Sequence, residues 1–230
     1  MTGVRASRGS VQPVQRALLG NQIADELRRN ILLGVIKPGT RLSQQQLCEE
    51  FGTSRMPVRD GLRALIHEGM LTTDATQHTV VAPLSRSDLL DTYLIEGTLT
   101  GIAAERASRN AQEADLLALT GLHEAMLDAA AQENYQKMAE LNWTLHRNIN
   151  RLAKSRKLLS AIKTTSLELP RDFLVEMPEW SVKSNCEHGQ ILDAMRAGEH
   201  DEVGRLMTEH IVDSGRGLVA YLESQGLELD

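Results

Sequence analysis

Apolar residues in this chain of 230 residues recur at helical spacing almost from end to end, and the few places where that period breaks divide it into parts. From Val14 to Leu33 the positions Leu18, Leu19, Ile23, Leu27, Ile31 and Leu32 step by three and four, which predicts an amphipathic helix. The stretch GVIKPG ends it, because Gly34 and Gly39 relax the backbone and Pro38 cannot extend a helix. Ser43 then stands as an N-cap before QQQLCEEFG, a short helix with Leu47 and Phe51 on one face and Gly52 at its end. A third helix follows in SRMPVRDGLRALIHEG, with Pro57 in its first turn, an apolar stripe of Val58, Leu62, Leu65 and Ile66, and Gly69 as its stop.

The period changes in MLTTD and HTVVAP, two Thr- and Val-rich segments joined by Ala75, Thr76 and Gln77, which predict a β-hairpin. Three helices and a hairpin predict a winged helix-turn-helix over residues 13–83. A Gly-, Ser- and Arg-rich arm, 1–12, precedes it and is expected to be disordered. A linker over 84–87 follows, with Ser87 as a candidate N-cap for the next helix. From 88 to 230 the helical period returns in six segments, about 88–108, 112–132, 134–153, 156–175, 180–197 and 200–224, with no convincing strand. The predicted fold class is therefore mostly α: an N-terminal winged helix-turn-helix followed by an all-helical bundle. Aromatic residues make up only 3% of the chain, which suits cores of Leu, Ile, Val, Met and Ala packed between helices.

Charge alters the picture once it is divided at the same break. The whole chain carries −6, but residues 1–85 hold 10 Lys and Arg against 7 Asp and Glu, whereas residues 86–230 hold 15 against 24. Only the first part is a plausible partner for phosphates. Within it, Arg55 and Arg59 lie four apart at the start of the third helix and project from one face, while Val58, Leu62 and Leu65 face inward. A recognition helix inserts its N-terminal residues into the major groove, and guanidinium groups suit guanine edges. Ser54 is placed to cap that helix and donate to a phosphate, with Arg63 one turn beyond Arg59.

The segment LRRNILLGVIKPGTRLSQQQLCEEFGTSRMPVRDGLRALIHEGML resembles the GntR family of bacterial regulators. The likeness lies in G-x-I-x-P-G-x-x-L, the FG turn, S-R-x-P-V-R, and the close at Leu62, Leu65, Glu68 and Gly69. It implies that Ser54, Arg55 and Arg59 contact DNA, and that Arg41 and Gln45 stand near phosphate-binding positions. In relatives the wing turns on a glycine near its tip, a place His78 takes here.

The second part, from about Asp88 to Tyr221, resembles the FCD ligand-binding domain of the FadR branch. Asn142 and His146 share a helix face, and His188 and His210 in later helices match the family's metal-ligand histidines. The resemblance implies a divalent transition metal, zinc or nickel foremost. Asn142 replaces the family's Asp, and its neutral amide weakens the site. In the expected effector pocket, Glu96 stands where relatives carry an Arg and Thr100 where an acid is usual. Either the pocket takes a ligand other than a simple carboxylate, or Glu96 itself reaches the ion. The implied partners are a double-stranded palindromic operator, a small-molecule effector and a second copy of the chain, with repression the family's usual mode.

Two readings compete with a ligand-responsive regulator. One is a constitutive DNA-binding regulator whose effector pocket is degenerate; the other is a metal-dependent hydrolase with Glu96 or Glu187 as base, although no HExxH, nucleophile elbow or phosphate loop supports it. His67, His78, His123 and His200 read as surface residues, and Trp143 and Trp180 as pocket or core. Cys48 and Cys186, far apart and without CxxC spacing, read as reduced thiols. No run of 18 uncharged apolar residues and no apolar leader is present, so a cytoplasmic protein without membrane insertion is expected.

Overall fold

A computed structural model describes residues 13–166, 178–227 and 229. The predicted arm at 1–12 lies outside them. Among the described residues are nine α-helices and one hairpin, and the chain divides into two compact units after Ala82.

In the first unit α1 (Pro13–Leu32), α2 (Gln44–Glu50) and α3 (Arg55–His67) precede strands β1 (Leu71–Thr73) and β2 (Thr79–Val81). The strands pair antiparallel with Leu71 opposite Val81, and Arg41 adds a single bridge to Val80, so the chain before α2 forms a third edge of the wing. Ile23, Leu27, Ile31, Val58, Leu62, Leu65 and Leu71 form the buried interior. Gly61 is required where α1 crosses α3, since a Cβ there would stand 2.9 Å from the Gly20 carbonyl oxygen.

One buried charge fastens this crossing. Arg28 of α1 is 1% exposed. Its Nε and Nη2 donate to Glu68 at 2.9 and 2.8 Å, and Nη1 donates to Asp25 at 2.6 Å. Burial opposes its charge, but the two carboxylates outweigh burial and hold its pKa above the ordinary guanidinium value. Glu68 directly follows α3, and its carboxylate ties that helix end to α1 through Arg28.

The second unit contains α4 (Arg86–Asn110), α5 (Glu113–Ala131), α6 (Tyr135–Leu152), α7 (Arg156–Thr165), α8 (Pro178–Ala197) and α9 (His200–Ser224). Ser85, not Ser87, caps α4, accepting from the Asp88 N–H at 3.2 Å, so the helix begins inside the segment expected as linker. The core joins Ala104 and Ala107 of α4 to Leu119 and Met126, Leu145 and Ile149, Ile191 and Met195, and Val203 and Met207. α4 and α9 touch backbone to backbone: a Cβ on Gly101 would meet the Gly204 carbonyl at 2.7 Å, and Thr208 Oγ1 donates to the Gly97 carbonyl at 3.2 Å.

The helix expected to run to 175 stops at Thr165. Thr164, Thr165 and Ser166 each return their hydroxyls to carbonyls four residues back, and Ser166 leaves the helix with ψ 133°. The remainder of that segment, 167–175, lies outside the described residues. No helix among the described residues is long and apolar enough to cross a membrane.

Candidate DNA-reading face and imidazole cluster

α3 is built to bury one face and offer the other. Pro57, Val58, Gly61, Leu62 and Leu65 are buried, while Arg55, Arg59 and Arg63 are exposed and make no ion pair among the described residues. Ser54 sits at the N-cap position with extended backbone, ψ 166°, yet its hydroxyl makes no capping hydrogen bond, contrary to the double role expected from sequence. That hydroxyl is exposed beside the unsatisfied N–H groups of the first turn, an arrangement suited to an anion.

Arg41 and Gln45 are exposed but already engaged. Gln45 donates to Glu49 within α2 at 3.3 Å. Arg41 reaches the wing turn, 3.0 Å from Asp74 Oδ2 and 3.2 Å from Thr76 Oγ1. Asp74 organises this turn by accepting from the backbone N–H groups of Thr76 at 2.8 Å and His78 at 3.0 Å, and from the Thr76 hydroxyl. The hydrogen bond from His78 leads the causes that hold its carboxyl well below the usual range. The residue with positive φ is Gln77, at 64°, so the glycine-demanding place in the wing falls one residue before His78.

In the helical unit three imidazoles converge from three helices. His146 of α6, His188 of α8 and His210 of α9 set their Nε2 atoms 3.1, 3.2 and 3.3 Å from one another. His188 and His210 are buried, and burial followed by the neighbouring imidazole pushes the His146 pKa down to about 3. Burial, then His210, His146 and His123, holds His188 well below its ordinary value. His210 Nδ1 lies 2.7 Å from Glu187 Oε2; an ionised carboxylate only accepts, so Nδ1 carries the proton and Nε2 presents its lone pair.

Such a triangle frustrates hydrogen bonding. A bond needs one N–H and one lone pair, and each neutral imidazole has only one of these at Nε2, so at most two of the three edges can be satisfied. With His210 fixed as an acceptor, protonating both other Nε2 atoms sets two donors 3.1 Å apart, and protonating one leaves a facing pair of lone pairs. One cation removes the conflict by accepting all three lone pairs, and nitrogens at this separation fit about 2.0–2.1 Å from a zinc-like ion. The Asn142 Oδ1, one helical turn before His146, is buried with no hydrogen-bond partner and is available as an oxygen donor. The donor set thus fits a divalent transition metal, and these are the His, Cys, Asp and Glu residues grouped for one among the described residues.

Glu96 and Thr100 occupy one face of α4. Thr100 is buried and spends its hydroxyl proton on the Glu96 and Gly97 carbonyls at 2.8 and 3.2 Å. Burial raises the Glu96 pKa to about 7, although a hydrogen bond with Ser166 pulls it the other way. Among the residues read as surface, His123 is half-buried and its Nε2 lies 2.9 Å from the Asn185 carbonyl, and His200 Nδ1 lies 2.7 Å from Ser108 Oγ. Trp143 is 44% exposed, with the Arg147 guanidinium 4.9 Å from its ring centre. The Trp180 side chain lies outside the described residues.

Comparison with known proteins adds the wider context. The profile of the FCD domain matches residues 91–213, and that of bacterial regulatory proteins of the gntR family matches residues 19–81. The chain is 27% identical over 201 residues to the probable D-xylose utilization operon transcriptional repressor of Paenarthrobacter nicotinovorans, covering 85% of this chain and 87% of that one. It is 25% identical over 214 residues to the HTH-type transcriptional repressor RspR of Escherichia coli strain K12, covering 90% of each. Among solved structures, E. coli McbR/YncC superposes with a TM-score of 0.65 at 22% identity, covering 91% of this chain and 99% of that one.

Proposed function

Because the chain belongs to the GntR family and carries its FCD domain, it is a transcriptional regulator rather than an enzyme, and we propose that it is a ligand-responsive repressor that grips a palindromic operator as a dimer. The observation that carries the DNA-reading role is the set of unpaired arginines, Arg55, Arg59 and Arg63, on the outward face of α3. Arg55 and Arg59 read base edges, Ser54 holds a phosphate, and Arg41 and Gln45 support the backbone from the wing root and α2. Repression follows the two named relatives, and the cytoplasm is where such a protein meets its operator.

Dimerisation is supported by α4. Leu94, Ile95 and Ile102 are 52%, 50% and 38% exposed, and with Asp91 and Thr98 they fall within about 100° of helix surface. Two copies meeting there place two recognition helices on one duplex.

The effector site lies in the helical unit. His146, His188, His210 and Asn142 would hold a divalent metal, zinc or nickel, and the bound ion would supply an electrophilic centre for an oxygen of the effector. A neutral Asn142 in place of a carboxylate lowers affinity for the ion and leaves more of its charge for the ligand. Glu96 and Thr100 define the remainder of the pocket, and Glu96 favours an uncharged or cationic group over a carboxylate. Effector binding changes the equilibrium between two arrangements of the helical unit, and operator affinity changes with it.

The test is fluorescence anisotropy with the promoter fragment upstream of the chain's own gene, at fixed salt, with metal and candidate metabolites added in turn. Salt-dependent binding that a metabolite weakens supports the proposal. Binding indifferent to every metal and metabolite would instead favour the constitutive regulator with a degenerate pocket, and no binding beyond that to random DNA would end the DNA-reading assignment.

A further inference from the structure

Glu187 occupies a place that the ligand set alone does not explain. It lies on α8 next to His188, yet its Oε2 turns across to α9 and meets His210 Nδ1 at 2.7 Å. Its Oε1 lies 3.4 Å from Lys183 Nζ, one turn earlier on α8. Lys183 Nζ also donates to Asp213 Oδ2 of α9 at 2.8 Å, and Asp213 accepts from Arg216 at 2.7 Å. Glu187 and Asp213 are 21% and 31% exposed at the side chain, against 1% for His210, so a charged seam backs onto a buried imidazole.

The three imidazoles are unequally served by this arrangement. His210 has a carboxylate behind it, whereas His188 Nδ1 is buried with no partner. A carboxylate behind a ligating histidine fixes its tautomer, aims the opposite nitrogen and makes that nitrogen a stronger donor. We infer that Glu187 is the positioning residue of the imidazole cluster, holding His210 as its Nδ1–H tautomer so that Nε2 faces His146 and His188 as a permanent lone pair, with Lys183 holding the carboxylate in that pose. This rests on the metal-binding reading given above and adds a division of labour to it. His210 is the preset ligand, while His146 and His188 select their tautomers on loading.

Two measurements on the full-length chain separate the claims. Long-range proton–nitrogen NMR of the histidine rings in metal-free protein reads which nitrogen of His210 carries hydrogen. Nδ1–H is expected in the natural chain and a tautomer mixture in Glu187→Ala, with Glu187→Gln nearer the natural chain because its amide oxygen still accepts. Cobalt affinity, measured by competition with a chromophoric chelator, is expected to fall about 10–100-fold in Glu187→Ala and less in Glu187→Gln. Glu202→Gln, which removes only a carboxylate bonded to Arg205 on the surface of α9, is expected to change neither reading. Nε2–H on His210 in the natural chain, or a tautomer unmoved by Glu187→Ala, overturns the inference. Cobalt affinity undiminished in Glu187→Ala does the same. A natural chain with Nδ1–H on His210 that binds no cobalt would overturn the metal reading and leave the tautomer assignment standing.

Discussion

The two units place their working groups on opposite sides of the water boundary. In the first, the charged residue that is buried, Arg28, is fully partnered and structural, while Arg55, Arg59 and Arg63 on the outward face of α3 are exposed and make no ion pair among the described residues. In the second, the candidate ligands are imidazoles in mutual conflict, His188 and His210 buried and His146 half-buried, while most ion pairs around them are exposed. A polyanion is attracted at long range by charges left in solvent, so reading DNA rewards exposure. A small ion must be stripped of water and held by lone pairs, so coordination rewards burial. The same chain therefore treats buried polar groups in opposite ways: fully paired at Arg28, and in mutual conflict at the three imidazoles.

The largest expected effect tests the scaffold side of that contrast. Arg28→Ala strands Glu68 beside α1 and should lower the stability of the first unit by about 3–5 kcal/mol, read by chemical denaturation, with Arg28→Met plus Glu68→Leu recovering much of the loss. A loss under about 1 kcal/mol, the range of surface pairs, would mean the lock is ornamental.

Next comes the buried acid of the sensing side. The folded-state pKa of Glu96, about 7, lies above its ordinary value near 4.5, so the folded protein binds this proton more tightly than the unfolded chain. Its contribution is present below pH 4.5 and lost as pH rises through 7, up to about 3 kcal/mol in all. Glu96→Gln should remove that loss, so that stability at pH 8 relative to pH 5 is higher than in the natural chain. The histidines act with the opposite sign, since the depressed pKa values of His146 and His188 make stability fall as pH drops below about 6.5. An unchanged slope in Glu96→Gln would place that carboxyl in solvent.

On the reading side, Arg59→Ala should weaken specific operator binding by about 1–3 kcal/mol without moving the unfolding midpoint. If affinity for random DNA falls equally, Arg59 grips the backbone rather than a base. The smallest expected change is at Ser54. Because its hydroxyl makes no capping bond, Ser54→Ala should leave stability within about 0.5 kcal/mol, whereas Ser85→Ala, which removes a real cap from α4, should cost about 1 kcal/mol by thermal unfolding.

Much of this was legible in the sequence because it is local. Apolar steps of three and four residues marked nine helices, with glycine stops closing the first three and short polar breaks separating the rest; the arginine pair announced its own face, and the histidines stood out once a family pattern grouped them. What escaped depends on partners far along the chain or on a turn's register. Nothing near Arg28 announces Glu68, forty residues away, and Glu187 looked like a free base until α9 brought His210 to it. His78 seemed to take the wing's glycine place because the order of residues in a turn does not tell which of them carries positive φ, and Gln77 does. Ser85 and Ser87 are equally good caps by composition, and the exit of the backbone at Ser166 ends α7 where apolar periodicity registers no break.

The contact of α4 with α9 at Gly101 and Gly204 brings the two backbones close, with the Thr208 side chain lodged at the crossing. α4 is 25 residues of unbroken helix, about 37 Å of stiff rod whose first residue, Arg86, stands four residues after Ala82, the last of the first unit. The approach of α4 to α9, which carries His210, therefore tolerates no Cβ at Gly101 unless the two helices part. The glycines, usually read as weak points, fix how closely this helix pair can sit.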